Sequence, residues 1–301
     1  MNAIETHELT RHFAHTEALA GLNLVVPEGA VFALLGANGA GKSTALKILM
    51  NLLSPSGGSA TVLGVESRRL GPVERAQIGY VSENQRLPLW MTVRQLLDYC
   101  RPFYLTWDRT LEAKLLAQFD LPPERKLKHL SRGMLMKAAL LSSLAYRPRL
   151  LVLDEPFSGL DPLTRDDFMQ GVIEASDFGR WTVLIASHDI EEVERFSDHV
   201  GLLESGRLRF SETTESLLRR FRRVELRSAG SLTRPAPLPA QWLDWEQSGE
   251  LVRYVDTAYD PVRSAWEAFP GASVAALPMT LREILLVLAR QQRRDRKGVA
   301  A

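Results

Sequence analysis

The sequence predicts an α/β protein: a mostly parallel central sheet, an N-terminal antiparallel β subdomain, a helical subdomain and a small C-terminal α+β module. Three observations carry that expectation. Gly36-Ala37-Asn38-Gly39-Ala40-Gly41-Lys42-Ser43 satisfies G-x-x-x-x-G-K-[ST] between an apolar run, residues 31–35, and a helix-like segment, residues 44–53. Two continuous apolar runs, Leu150-Leu151-Val152-Leu153 and Val183-Leu184-Ile185-Ala186, suit central strands covered by helices on both faces. From residue 92 to 146, apolar side chains recur at three- and four-residue spacing, the period of helices with one buried face.

The elements follow in order. Residues 3–35 alternate polar and apolar, with Leu22, Leu24 and Val26 on one side, and read as strands ahead of the glycine loop. Helix 44–53 stops at the breaker cluster Ser54-Pro55-Ser56-Gly57-Gly58. Short strands are expected at 60–63 and 78–81. Pro122-Pro123 divides the helical stretch into two blocks, and residues 84–145 form the helical subdomain. A helix at 165–175 joins the two buried strands, and 200–203 with 207–210 close as a hairpin around Gly206. Composition then shifts: residues 228–240 carry three prolines and one glycine. The expected organisation is a catalytic unit at 1–222, a linker at 223–240 and an accessory module at 241–301. That module reads as a strand at 251–255, a helix at 261–269, a strand at 273–277 and a last helix to about 291. Thr280-Leu281-Arg282-Glu283 opens this last helix as a capping box.

Composition narrows the function classes. At 301 residues with 45% apolar and 24% charged residues, the chain is an ordinary globular sequence long enough for a sizeable core. A formal net charge of +1 supplies no global field, so no nucleic-acid partner is expected. The single cysteine, Cys100, excludes an intramolecular disulfide and fits a reducing compartment. The N-terminus has no basic segment followed by an apolar run, so no secretory signal is expected. Nowhere do about 18 apolar residues run uninterrupted, so a membrane role must come through a partner. His7, His12 and His15 lack the cysteine or carboxylate pattern that would complete a metal site. The basic tail (Arg293, Arg294, Arg296, Lys297) reads as solvated.

The chemistry is concentrated in two places. Glycines let the backbone turn so that its N–H groups converge on phosphate oxygens, and the following helix N-terminus adds partial positive charge. The expected binding set is Gly36, Asn38, Gly39, Ala40, Gly41, Lys42, Ser43 and Thr44, with Lys42 reaching the β/γ-phosphates and the Ser43 hydroxyl ligating Mg²⁺. Asp154 ends a buried strand expected beside the phosphate-loop strand, where its carboxylate can hold the same Mg²⁺. Glu155, one residue on, can orient and partly deprotonate a water attacking the γ-phosphorus. The chain therefore reads as one that binds a nucleoside triphosphate.

With those motifs in place, the chain resembles the ATP-binding subunit of an ABC transporter over roughly residues 3–220. Leu130-Ser131-Arg132-Gly133-Met134 is similar to the family signature Leu-Ser-Gly-Gly-Gln, and Ser158-Gly159-Leu160-Asp161 matches the loop after the Walker B strand. His188, within Ser187-His188-Asp189, resembles the switch histidine, and Phe13 stands where the family has an aromatic that stacks on adenine. The resemblance implies a P-loop NTPase core with ATP and Mg²⁺ as cofactors. It implies His188 as a γ-phosphate partner, and two subunits closing head to tail over two ATP molecules. It also implies a separate transmembrane permease, contacted by residues 84–145, and a peripheral position on the cytoplasmic face of the membrane. Ser131 opens a helix, so its hydroxyl and the following N–H groups form an anion site. By resemblance, Ser131 and Gly133 serve the nucleotide bound by the opposite subunit, and Asp161 belongs to the nucleotide-binding set.

Two departures stand out. In Tyr80-Val81-Ser82-Glu83-Asn84-Gln85, Glu83 replaces the usual glutamine, which implies a carboxylate near Mg²⁺, with Gln85 as the substitute if the loop is shifted. In the signature, Arg132 and Met134 replace glycine and glutamine. Residues 280–286 resemble a terminal helix of exporter-type subunits, which favours export. The alternatives are a non-transport ATPase of the same superfamily and a nucleotide-sensing regulator of slow turnover. Against the first stand a single cassette and the lack of a heptad run between Lys42 and Ser131; against the second stand Glu155 and His188.

Overall fold

The structure, a computed structural model, describes residues 1–176, 181–228, 234–260 and 272–299. The chain divides into two units, Met1–Ser211 and Glu212–Ala301.

The strands of the first unit are β1 (Asn2–Phe13), β2 (Thr16–Leu22), β3 (Val25–Pro27), β4 (Val31–Leu35), β5 (Gly57–Val62), β6 (Val65–Glu66), β7 (Ile78–Ser82), β8 (Leu150–Asp154), β9 (Thr182–Ser187), β10 (His199–Glu204) and β11 (Arg207–Thr213). Its helices are α1 (Lys42–Leu49), α2 (Pro72–Arg75), α3 (Val93–Cys100), α4 (Arg109–Gln118), α5 (Arg132–Leu144) and α6 (Pro162–Ser176). An antiparallel sheet runs β2-β1-β5-β6, with β3 paired to β1. The central sheet runs β11-β10-β4-β9-β8-β7, and β10, β4, β9, β8 and β7 pair in parallel. Every residue of β8 and β9 is buried, as a sheet covered on both faces requires. Phe32, Leu34, Val152 and Leu184 of this sheet share a core with Leu46 and Ile48 of α1 and with Ile4, Leu22 and Val62 of the antiparallel sheet. At roughly 1.5–3 kcal/mol for each large apolar side chain removed from water, this common core fixes α1 between the two sheets.

Parallel pairing brings the C-terminal ends of the strands to one edge. Leu35 stands opposite Ser187, Ala186 opposite Asp154, and Asp154 opposite Ser82. Loops leaving that edge form the crevice where α/β sheets bind ligands.

Several expectations are corrected. β8 is not the neighbour of β4, because β9 lies between them; crossover connections let a later strand insert into the sheet, which strand composition does not report. α1 starts at Lys42 and ends at Leu49, short of residue 53, since Asn51 takes a left-handed φ of 53°. The helical stretch holds three helices, because Thr92 caps α3 and Asp108 caps α4 ahead of the proline pair.

The second unit contains α7 (Thr214–Arg220), β12 (Arg222–Arg227), β13 (Trp242–Ser248), β14 (Leu251–Asp256), β15 (Ser273–Pro278) and α8 (Leu281–Val299). Its antiparallel sheet runs β13-β14-β12-β15. The division thus falls near residue 211 rather than 222, and the start of the expected linker is an inner strand. Val224 and Leu226 alternate into a small core with Trp242, Val252 and Tyr254, while three arginines and a glutamate hide the period-2 pattern in the sequence. β13 is also absent from the expected elements of the module. The capping box is present: Glu283 N–H donates to Thr280 Oγ1 at 3.2 Å and Thr280 N–H to Glu283 Oε2 at 2.8 Å. Residues 229–233, the expected helix 261–269 and the side chains of the basic tail lie outside the described residues. Among the described residues, no helix is long and apolar enough to cross a membrane.

Candidate active site

β4 runs into the glycine loop, which ends as the N-terminus of α1. Gly39 and Gly41 take φ of 81° and 107°, conformations open to glycine and costly for other residues. A Cβ on Gly36 would stand 2.4 Å from Leu203 O, and one on Gly41 2.4 Å from Ala18 O. A Cβ on Gly39 would meet nothing within 4 Å, so the loop is packed from behind and open in front. The first N–H groups of α1 have no partner within the helix, and Gly41 offers no capping side chain. These donors make an anion cradle. Asn38 is exposed beside it, Ala40 is buried behind it, and Thr44 follows half-buried in α1.

Lys42 is 5% exposed, with Nζ 2.6 Å from Gly36 O, 3.3 Å from Ala37 O and 3.0 Å from Glu155 Oε1. Next to it, Ser43 Oγ donates to Asp154 Oδ1 at 2.8 Å. Burial pushes the Asp154 carboxyl above the ordinary carboxylate range, opposed by the Ser43 hydrogen bond and reinforced by the Glu155 charge. α1 therefore reaches across β9 to β8. Among the described residues, no group of three or more His, Cys, Asp or Glu side chains is arranged to hold a metal ion by itself. Mg²⁺ does not need one: it keeps water and phosphate oxygens and takes one or two protein oxygens, so the Ser43–Asp154 pair fits it.

Glu155 holds a φ of 51°, a left-handed conformation costing a non-glycine residue roughly 1–2 kcal/mol. Several bonds offset that cost. Its N–H donates to Ala186 O at 2.9 Å, and Oε1 meets Lys42. Oε2 accepts from the His188 backbone N–H at 3.3 Å and lies 2.7 Å from His188 Nδ1. Strain held this way is a mark of functional sites. The structure thus joins three expected residues, Lys42, Glu155 and His188, from three separate segments. A carboxylate between a lysine ammonium and an imidazole can accept a proton from a bound water.

A residue not anticipated is Glu192, 8% exposed, whose carboxyl burial pushes up. Its Oε2 accepts from Ser187 Oγ at 2.9 Å, its Oε1 lies 3.2 Å from Arg165 of α6, and Ser187 Oγ accepts from Asp189 N–H at 3.0 Å. It fastens the turn that carries His188. The available signal was the acidic pair Glu191-Glu192 set between Ile190 and Val193.

The remaining candidates fall at the edges of this cluster. Phe13 ends β1, 41% exposed, with the Arg11 guanidinium 4.5 Å from its ring centre. Ser131 caps α5, accepting from Met134 N–H at 3.2 Å. Gly133 is a packing position, since a Cβ there would lie 2.7 Å from Thr164 Cγ2. Asp161 spends both oxygens on Thr164, 2.6 Å from its hydroxyl and 3.0 Å from its N–H, and these bonds hold its carboxyl below the usual range. Glu83 departs from expectation. Its N–H donates to Asp154 O at 3.0 Å, but its carboxylate bonds Arg132 and Ser158 rather than the Ser43–Asp154 oxygens, because Arg132 supplies a nearer countercharge.

Comparison with known proteins decides the family. The pattern of the family described as ABC transporter matches residues 19–158. The chain is 31% identical over 205 residues to the ABC transporter ATP-binding protein YtrB of Bacillus subtilis, covering 68% of this chain and 70% of that protein. The chain belongs to the ABC transporter ATP-binding proteins. This cassette is also 36% identical over 220 residues to the daunorubicin resistance ATP-binding protein DrrA2 of Streptomyces coeruleorubidus, covering 71% and 68%. It is 30% identical over 295 residues to the Nod factor export ATP-binding protein I of Neorhizobium galegae, covering 95% and 84%, a likeness that includes the second unit. Among solved structures, an ATP-binding subunit of an ABC transporter superposes with a TM-score of 0.65 at 27% identity, over 72% of this chain and 92% of that one. A dimeric cassette in a post-hydrolysis state with ADP and Pi shares the fold at 23% identity, TM-score 0.62, over 70% and 98%. The cassette is an ATPase of the P-loop NTPase fold, in a family whose ATP-binding subunits dimerise and work with a transmembrane permease.

Proposed function

We propose that this cassette binds Mg-ATP in the loop 36–44, hydrolyses it with Glu155 as the water-activating carboxylate, and drives export through a separate permease. The observation that carries the reading is the convergence of Lys42, Glu155 and His188 beside the Ser43–Asp154 pair. The backbone donors of the glycine loop hold the phosphates, and Lys42 neutralises the β- and γ-phosphates. An incoming γ-phosphate competes with Glu155 for the Lys42 ammonium, which leaves the carboxylate basic and held by the His188 backbone N–H. His188 donates to the γ-phosphate once its ring turns from Glu155. Ser43 and Asp154 hold Mg²⁺, which when bound lowers the negative charge on the phosphoryl oxygens. Phe13 stacks on adenine.

A second cassette, a copy of this chain or a homologue, closes over the nucleotide with Ser131, Gly133 and Asp161. Residues 84–145 face the permease, which attaches the chain to the cytoplasmic face of the membrane, and no nucleic acid takes part. The second unit is accessory to catalysis. Export is favoured because two relatives bear names of drug resistance and Nod factor export, and the Neorhizobium likeness runs through the second unit.

The test is phosphate release by the purified chain, alone and with the membrane protein that copurifies with it. Lys42→Ala should weaken ATP binding and abolish turnover; wild-type turnover in that variant would remove the phosphate-loop assignment. Turnover unaffected by any copurifying membrane protein would favour the regulator instead.

A further inference from the structure

Two positions at which the chain departs from its family's pattern meet each other. Glu83 follows β7, its N–H bonded to Asp154 O. Arg132 opens α5, one residue after the cap Ser131. Arg132 Nη2 donates to Glu83 Oε1 at 2.5 Å, and Ser158 Oγ donates to the same oxygen at 3.0 Å. The guanidinium lies over Gly159, where φ is 69° and a Cβ would stand 2.8 Å from Arg132 Nη1. Ser158 N–H in turn donates to Glu155 O at 3.3 Å. One carboxylate oxygen thus ties the end of β7, the first turn of α5 and the turn that begins at Glu155.

We propose that Glu83 and Arg132 are a matched positioning pair that, through Ser158, sets the turn carrying Glu155, and that Glu83 is not a Mg²⁺ ligand. The proposal rests on the reading of Glu155 as the water-activating group. A cation in the first turn of a helix opposes the helix dipole, so Arg132 alone is unfavourable where it stands. A carboxylate beside it removes that conflict, which makes the two departures a pair rather than two separate defects. The side chains are 52% and 29% exposed, so the pair adds little to global stability and acts on local geometry. The shared acceptor matters as much as the charge: a glutamine at position 83 retains an Oε1 for both donors.

The full-length chain tests this with Glu83→Ala, Arg132→Ala, both together, Glu83→Gln, and the reversals Glu83→Arg and Arg132→Glu singly and combined. Each is read as kcat, KM for Mg-ATP, Mg²⁺ half-saturation and unfolding midpoint. Each alanine variant should lose about three- to tenfold in kcat, and the double variant should lose no more than either single. KM should stay within about twofold and the midpoint should not move. Glu83→Gln should lose less than Glu83→Ala, and the combined reversal should recover most of what either single reversal loses. Losses that multiply in the double variant would overturn the pairing. A raised Mg²⁺ half-saturation in Glu83→Ala, with Arg132→Ala normal, would overturn it in favour of a metal ligand. Wild-type turnover in Glu155→Gln would remove the catalytic reading, whereas multiplying losses beside an inactive Glu155→Gln remove only the positioning pair.

Discussion

Replacing Glu155 by Gln separates the chemistry of this site from its architecture. The amide preserves the shape and both side-chain contacts: its Oε1 can accept from Lys42 Nζ, now at 3.0 Å, and its Nε2–H can donate to His188 Nδ1, now at 2.7 Å, although Nε2 no longer accepts from the His188 backbone N–H. What disappears is the negative charge and, with it, the basicity. Lys42 and Glu155 are 5% and 13% exposed. Removing one partner of such a pair outright costs about 3–5 kcal/mol, but a retained hydrogen bond reduces the expected loss to about 1–2 kcal/mol, a few degrees in midpoint. ATP affinity should hold or rise, because Lys42 no longer leaves a carboxylate to reach phosphate. A positioned general base contributes about 10²–10⁴ in rate, so kcat should fall by that factor, about 2.7–5.4 kcal/mol at 1.36 kcal/mol per decade. The assays are phosphate release at saturating Mg-ATP, equilibrium ATP titration, thermal unfolding, and light scattering with ATP, ADP and no nucleotide. The variant should bind ATP and accumulate as an ATP-dependent dimer. A kcat within about threefold of wild type would refute the general-base argument. A loss of ATP binding equal to the loss of rate would show that Glu155 shapes the loop and does no chemistry.

Ser131→Arg added to Glu155→Gln should abolish the ATP-dependent dimer, read by the same scattering, since a bulky cation at the α5 N-terminus blocks a partner's γ-phosphate. Asp108 accepts from Leu111 N–H and pairs with Arg147, which hold its carboxyl below its unfolded value. Its stabilisation is therefore fully present above the ordinary carboxylate range and is lost as pH falls below that range through the lowered value of the folded protein. Asp108→Ala should cost about 1–2 kcal/mol at neutral pH, and denaturant midpoints of variant and wild type should converge below about pH 4. Thr280→Ala should destabilise the second unit by about 1 kcal/mol by removing the cap of α8, seen as earlier exchange of its amides. A chain ending at residue 213 should be more soluble than one ending at 222, because the longer chain keeps Leu217 and Phe221, fully buried in the intact protein, without α8 and the sheet of the second unit. Equal solubility and equal ATP binding would move the boundary back to 222.

Much of this protein is legible locally. The glycine loop, Lys42 and Ser43 act through a contiguous run whose spacing alone dictates a turn between strand and helix. The runs ending at Asp154 and before His188 announce themselves as strands buried on both faces, and Ser131 and Thr280 announce helix starts because capping is a contact within three residues. The period-2 pattern of β12 is masked because its four charged side chains outnumber the two apolar ones that build the core. Strand order was beyond the sequence: the insertion of β9 between β4 and β8 is a choice among crossovers, and only the fold brings Ser43 within 2.8 Å of Asp154. The fate of the long polar side chains was likewise decided by tertiary structure. Glu83 lies beside Asp154 along the backbone, yet its carboxylate is set by Arg132, 49 residues away, and Glu192 becomes a support only because α6 delivers Arg165. A flexible carboxylate goes to the donors and countercharges that folding brings within about 3 Å, and sequence separation says nothing about which those are.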